Sequence, residues 1–105
     1  MLEFMEKISP DRAKDLLQKL PGWTLAGEAI SRQFTFAGFP DAVAFIVRLG
    51  FTAEAADHHP DLAVNYRRVT VTYSTHSEGG LTEKDFEGAS AANRAAESLV
   101  GGDRR

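Results

Sequence analysis

A strictly alternating stretch in the second half of the chain constrains the fold more than any other feature. Its apolar side chains are Val69, Val71 and Tyr73, and its polar side chains are Thr70, Thr72, Ser74 and His76. Successive side chains of a β-strand point to opposite faces, so this strand has one apolar and one polar face. A second alternating run precedes it, with Leu62, Val64 and Tyr66. The two runs predict a β-hairpin that turns at Arg67-Arg68 and covers a core with one face.

A helix and another hairpin are predicted nearer the N-terminus. Ser9-Pro10 offers a capping side chain followed by proline at the first helical position, and Pro21-Gly22 ends the helical pattern. Segments 23–26 and 30–36 are typical of strands, and Gly27-Glu28 lies between them at a turn. The chain is therefore predicted to begin with a helix that leads into a hairpin.

The second helix is predicted to start near Phe39 and to continue to about Asp57. Pro60 stops it, because the residue before a proline disfavours the helical conformation. The apolar stripe of this helix contains Phe39, Val43, Ile46, Gly50 and Ala53, with Ala42, Phe45, Leu49 and Ala56 beside it. A face this wide predicts packing on a sheet and also against a partner chain. Thr82, followed three residues later by Asp85, is a capping signature that opens a third helix.

The predicted order is helix, hairpin, helix, hairpin, helix. Four antiparallel strands with the helices packed on one face bury every apolar stripe in one core, which predicts an α+β fold. A length of 105 residues is typical of one domain, so we expect residues 1–105 to form a single domain.

Composition excludes several classes of function. The chain has no cysteine, which rules out thiolate catalysis, disulfides and zinc sites of the cysteine type. Its formal net charge is -3 and its basic residues are scattered, so we expect no direct binding of nucleic acid. No window approaches the roughly 20 apolar residues that span a bilayer, so we expect no membrane partner and a cytoplasmic location.

Two of the three histidines, His58 and His59, adjoin at the predicted end of the second helix. A positively charged histidine at the C-terminus of a helix is stabilised by the helix dipole, but one histidine would be enough for this effect. Glu54 lies four residues before His58, so its carboxylate is predicted to orient that ring. His76 ends a strand beside a glycine-containing loop, where function is often carried. Asp85, just beyond that loop, can steer an imidazole or simply cap its helix.

These residues leave few kinds of chemistry open. Adjacent histidines diverge, whereas a helical metal-binding pair is usually separated by a full turn, so we expect no metal. Ser74 and Ser77 lack the strained turn of a nucleophilic serine, and no phosphate-binding glycine loop is present. Metal-free acid–base catalysis by imidazoles remains, since their unperturbed pKa lies nearest physiological pH.

The spacing of these elements resembles the signature of the pterin-4a-carbinolamine dehydratases. The matching residues are Glu54, His58-His59-Pro60, Tyr66, Ser74-Thr75-His76, Gly79-Gly80-Leu81-Thr82-Glu83 and Asp85. The likeness extends to Gly22-Trp23, Ala29-Ile30, Arg32, Phe34–Phe36 and Phe39–Ala42, and so covers nearly all of the chain. One departure is Tyr73, where the family commonly carries an aliphatic residue; an inward-facing tyrosine needs a partner for its hydroxyl.

The resemblance implies a homodimer or homotetramer that needs no cofactor. The implied reaction is the dehydration of 4a-hydroxytetrahydrobiopterin (pterin-4a-carbinolamine) to quinonoid dihydropterin, in the recycling of tetrahydrobiopterin. A non-catalytic alternative is a pterin- or molybdopterin-binding protein, or a dimerising protein of the coactivator kind. Retention of all three histidines favours the enzyme.

The resemblance also implies roles for individual residues. His58, His59 and His76 are the implied catalytic histidines, with Asp85 and Glu54 as polar support. The implied pterin-binding residues are His58, His59, Pro60, Thr75, His76, Ser77 and Glu78. We expect His58 and His76 to act as acids toward the departing hydroxyl, and His59 to position the substrate or act as a base.

Overall fold

A computed structural model describes residues 6–103 of the chain. The helices are α1 (Pro10–Leu17), α2 (Phe39–Ala56) and α3 (Glu83–Asp103), with a short 3₁₀ helix at His76–Glu78. The strands are β1 (Thr24–Ala26), β2 (Ala29–Thr35), β3 (Asp61–Asn65) and β4 (Arg68–Tyr73). Within residues 6–103, no helix is long and apolar enough to cross a membrane.

The four strands form one antiparallel sheet in the order β1-β2-β4-β3. The two hairpins join through β2 and β4, whose register runs from Ile30 opposite Tyr73 to Thr35 opposite Arg68. The apolar faces of these two central strands are buried against the helices, whereas β3 is an exposed edge strand. The core includes Trp23, Ile30, Phe34, Phe36, Phe45, Leu49, Val69, Val71, Tyr73, Phe86, Ala89 and Ala92. The predicted α+β fold and its element order are confirmed.

The turn of the second hairpin lies one residue earlier than predicted. Asn65 pairs with Arg68, so the two turn residues are Tyr66 and Arg67 rather than Arg67-Arg68. Tyr66 has φ 56°, a left-handed backbone conformation that residues other than glycine, asparagine and aspartate seldom adopt. Alternation alone assigns Tyr66 to the strand, because the pattern carries no information about this backbone conformation.

The wide apolar face of α2 divides into two stripes. The buried stripe contains Ala42, Phe45, Leu49 and Ala53. The exposed stripe contains Phe39, Val43, Val47 and Phe51, which are between 40 and 77% exposed. The sequence pattern places Phe39 and Val43 in one stripe with Ala53, whereas the structure buries Ala53 and leaves Phe39 and Val43 half-exposed.

Candidate functional site

The end of α2 separates the two adjacent histidines. Asp57 adopts the left-handed conformation (φ 52°, ψ 41°), and the His58 N–H donates to the Ala53 carbonyl at 3.1 Å. This six-to-one hydrogen bond is that of a Schellman helix end. Because the chain leaves the helix at Asp57, His58 and His59 no longer follow helical spacing and reach different partners.

His58 is held by a buried carboxylate. Its Nε2 lies 2.6 Å from Oδ1 of Asp85, whose side chain has no exposed surface. The His58 ring also stacks on Tyr73, with ring centroids 5.7 Å apart and planes 15° apart. With Nε2 and one ring face engaged in this way, Nδ1 is the His58 nitrogen left for another partner.

The second oxygen of Asp85 holds the segment that leads to His76. Oδ2 accepts hydrogen bonds from Oγ1 of Thr75 at 2.8 Å and from the backbone N–H of Thr82 at 2.9 Å. The Thr82 bond is the one that the capping signature predicted. The hydroxyls of Thr75 and Thr82 also lie 2.9 Å apart. Asp85 therefore binds the end of α2, the end of β4 and the start of α3 at once.

The bond to Thr75 depends on the path of the loop, so no local sequence pattern indicates it. Thr75 is only 4% exposed, and its backbone forms an antiparallel bridge with Gly80. Its hydroxyl faces the buried carboxylate rather than solvent. A pterin-binding role for Thr75 stays a prediction, and the contacts seen here are those of a residue that positions its neighbours.

The predicted pairing of Glu54 with His58 is wrong. Glu54 Oε1 lies 2.8 Å from Nε2 of His59 instead. The left-handed Asp57 turns the chain so that the fifth residue after Glu54, rather than the fourth, returns to its carboxylate. Both side chains are exposed, at 56% for His59 and 82% for Glu54, so the pair contributes little to stability.

His76 lies at the same end of the second hairpin as the two adjacent histidines. Asp61 pairs with Thr72, so residues 58–60, just before β3, lie toward the end of the hairpin where β4 leaves the sheet. His76 begins the 3₁₀ turn that follows, and Gly79 closes this turn with φ 70°. The side chains of His76, Ser77 and Glu78 are exposed. The histidine-bearing segments thus adjoin through Thr75 and Asp85.

A cleft of about 200 Å³ opens between α2 and α3 beside this cluster. His58 and Tyr73 line it, whereas His59 and His76 do not. Gly88 of α3 lies against the Tyr73 ring, since a Cβ atom at this glycine would meet Tyr73 Cε1 and Cζ at 2.5 Å. The glycine leaves room for the aromatic ring that supports His58.

Gly88→Ala and Gly50→Ala form a matched pair, because both glycines are helical and only the first is in a tight contact. A Cβ at Gly50 would meet nothing within 4 Å. We expect Gly88→Ala to lower the free energy of unfolding by about 1–3 kcal/mol through overpacking. Gly50→Ala should raise it by about 0.5–1 kcal/mol through its higher helix propensity. Urea titrations measure both, and equal effects would contradict the contact with Tyr73.

Burial, together with the nearby charge of Asp85, raises the pKa of Tyr73 to about 12 from its ordinary value of 10.0. The folded chain then keeps a proton that the unfolded chain loses between these pH values. Stability from this group is fully present below pH 10 and falls as the pH rises toward 12. We expect the free energy of unfolding to fall by about 2 kcal/mol between these two pH values.

Tyr73→Phe should remove that part of the alkaline loss, because phenylalanine does not ionise. Urea titrations on either side of the interval measure the difference. Tyr66→Phe is the matched control, since Tyr66 is 66% exposed. If Tyr66→Phe rather than Tyr73→Phe reduces the loss of stability at alkaline pH, the assignment to Tyr73 is contradicted.

Across the part of the chain that the structure describes, no three His, Asp or Glu side chains are grouped so as to hold a metal ion. Asp85 contacts the His58 imidazole, and Glu54 contacts that of His59. Each of these carboxylates can therefore orient one imidazole ring.

Residues 6–95 match the family model described as Pterin 4 alpha carbinolamine dehydratase. The chain belongs to this family. It is 44% identical over 81 residues to a protein of Roseiflexus sp. (strain RS-1), covering 77% of this chain and 87% of that protein. It is 45% identical over 87 residues to a protein of Chloroflexus aurantiacus, covering 83% of this chain and 94% of that protein. Both relatives carry the name "Putative pterin-4-alpha-carbinolamine dehydratase".

A solved structure from Brucella melitensis, described as a transcriptional coactivator/pterin dehydratase, has the same fold. Its TM-score is 0.84 at 38% sequence identity, covering 87% of this chain and 99% of that chain. The pterin 4 alpha carbinolamine dehydratase family is thus identified both by sequence and by structure, as the spacing of the histidine motifs predicted.

Proposed function

We propose that this protein catalyses the dehydration of 4a-hydroxytetrahydropterin to quinonoid dihydropterin and water. The observation that carries the proposal is the position of Asp85, which contacts both His58 and the residue preceding His76. One buried carboxylate thereby sets the geometry of two imidazole-bearing segments. Membership of the pterin dehydratase family supports a substrate with a flat bicyclic ring.

The reaction needs a proton donor and a proton acceptor. The bond from C4a to its hydroxyl oxygen breaks, and that oxygen takes a proton and leaves as water. The proton on N5 departs to a base, and its bonding electrons form the double bond between N5 and C4a. Acid–base catalysis of such steps contributes roughly 10²- to 10⁴-fold in rate.

The geometry supports specific roles. A protonated His58 donates through Nδ1, because its Nε2 is held by Asp85. His76 is exposed on the neighbouring turn and serves as the second acid toward the hydroxyl. His59, paired with Glu54, positions the ring or accepts the N5 proton. The pterin then lies between segment 58–60 and segment 75–78.

The direct test is to mix the purified protein with freshly generated 4a-hydroxytetrahydropterin and to follow quinonoid product in a stopped-flow spectrophotometer. We expect a rate above the buffer-catalysed rate and proportional to protein concentration. No acceleration would exclude the dehydratase and would favour a non-catalytic role. The Brucella melitensis protein is described as a coactivator as well as a dehydratase, which makes a binding protein the second candidate.

We also propose that the protein assembles as a homodimer or homotetramer through the exposed stripe of α2. Phe39, Val43, Val47 and Phe51 recur every four residues and form one apolar face of the helix. Val47→Glu combined with Phe51→Glu should convert the assembly to monomers in analytical ultracentrifugation. Gln33→Glu, on the polar face of the sheet, is the control. An unchanged mass in the double variant would contradict this interface.

A further inference from the structure

The hydroxyl of Tyr73 forms no hydrogen bond with the residues that the structure describes. The residue is 1% exposed and lines the cleft between α2 and α3. Every fully enclosed side-chain N or O atom within residues 6–103 has a hydrogen-bond partner, so the Tyr73 oxygen keeps some exposed surface. The oxygen therefore reaches the cleft, and buried polar groups of this kind normally have a partner.

The walls of the cleft combine small side chains with charged ones. Ala53 and Ala56 on α2, and Gly88 and Ala91 on α3, leave the space between the helices open. The other lining residues are Thr52, His58, Tyr73, Lys84, Glu87 and Arg94. Two cations and one carboxylate on α3 therefore face the space beside Tyr73.

We propose that this cleft binds an anionic oxygen group, of the phosphate or carboxylate type, carried by the substrate whose ring lies at His58. This inference rests on the proposed function, since it takes the bicyclic ring to lie beside His58. The cleft would then select substrates by the side chain on the ring.

Donors for such a group converge on the cleft. The Tyr73 hydroxyl is a neutral O–H group at physiological pH, so it can donate to an anionic oxygen. Lys84 uses one donor on the Ala56 carbonyl, and Arg94 uses one on the Ser90 hydroxyl. An ammonium has three donors and a guanidinium has five, so both keep donors for a ligand. Glu87 and the nearby buried Asp85 oppose an anion, and Lys84 and Arg94 balance these two charges. The Tyr73 hydroxyl adds a neutral donor to the two cations.

Equilibrium binding of two stable probes tests the inference. The probes are 6-hydroxymethylpterin and its phosphate ester, measured by isothermal titration calorimetry with the intact protein. We expect the ester to bind at least tenfold more tightly. Tyr73→Phe keeps the ring and removes the donor, and Lys84→Gln removes a cation; each should reduce this preference at least threefold. Lys19→Gln, outside the cleft, should leave the preference unchanged.

Inorganic phosphate alone separates the two sources of the anion. Phosphate binding that Tyr73→Phe weakens supports the same anion site, occupied by a free ion rather than by the substrate. Equal affinity for the two probes, together with no phosphate binding, would overturn the inference. If the ester is preferred while 4a-hydroxytetrahydropterin is not turned over, the proposed reaction fails and the anion site stands.

Discussion

Replacement of His58 by alanine is expected to lower kcat for the dehydration by about 10²-fold, because it removes the imidazole that Asp85 holds at 2.6 Å. His58→Gln is the sharper variant, since its amide N–H can still donate to Asp85 but cannot supply a proton at neutral pH. We expect both variants to lose activity to a similar extent. Stopped-flow measurement of the quinonoid product, at saturating substrate, gives kcat for each.

A second catalytic variant and two controls accompany this prediction. His76→Ala should also slow turnover by more than tenfold, because the exposed His76 is the second proposed acid. Thr35→Ala, on the exposed face of β2, should keep the wild-type rate. Circular dichroism and the thermal midpoint show whether each variant is folded at the assay temperature. A wild-type kcat in folded His58→Gln and His76→Ala would refute these catalytic roles.

Replacement of Asp85 by alanine is expected to lower the free energy of unfolding by about 3–5 kcal/mol. Its carboxylate is fully buried and accepts hydrogen bonds from Thr75 Oγ1 and the Thr82 N–H, besides contacting His58. Removal leaves these buried groups without their partner and also removes the cap of α3. A domain of ordinary stability has only about 5–15 kcal/mol in total, so part of the population should be unfolded at moderate temperature.

Asp85→Asn separates the charge from the hydrogen bonds. Its amide oxygen can still accept from Thr75 and Thr82, so it should cost less stability than Asp85→Ala. Activity should still fall at least tenfold, because the carboxylate that holds His58 is lost. Glu54→Gln is the matched control on an exposed pair and should change stability by less than about 0.5 kcal/mol. Equal losses of stability from Asp85→Ala and Glu54→Gln would contradict the central position of Asp85.

Local patterns predict the fold well. Alternation identifies the strands, helical spacing and proline identify the helices, and the Thr82–Asp85 signature identifies a cap that the structure contains. These signals are local, since each depends on a few neighbouring residues. The boundaries are less well predicted: α1 ends at Leu17, whereas its helical pattern continues toward Pro21.

The sequence predicts which residues belong to the candidate site, but not which carboxylate contacts which histidine. Helical spacing assigns Glu54 to His58, and one left-handed residue, Asp57, changes its partner to His59. Thr75 is expected to bind the substrate, and its hydroxyl is buried against Asp85. Sequence spacing describes a regular helix or strand, whereas these contacts form where regular structure ends.

The sequence by itself determined the order of the elements and the residues of the histidine motifs, because periodicity and caps act over a few residues. Only the tertiary structure decided that Asp85 contacts His58 and Thr75 at once, and that Tyr73 opens onto a cleft between two helices. These contacts join segments that are distant along the chain. They therefore exist only once the sheet register and the packing of α2 on α3 have brought the segments together.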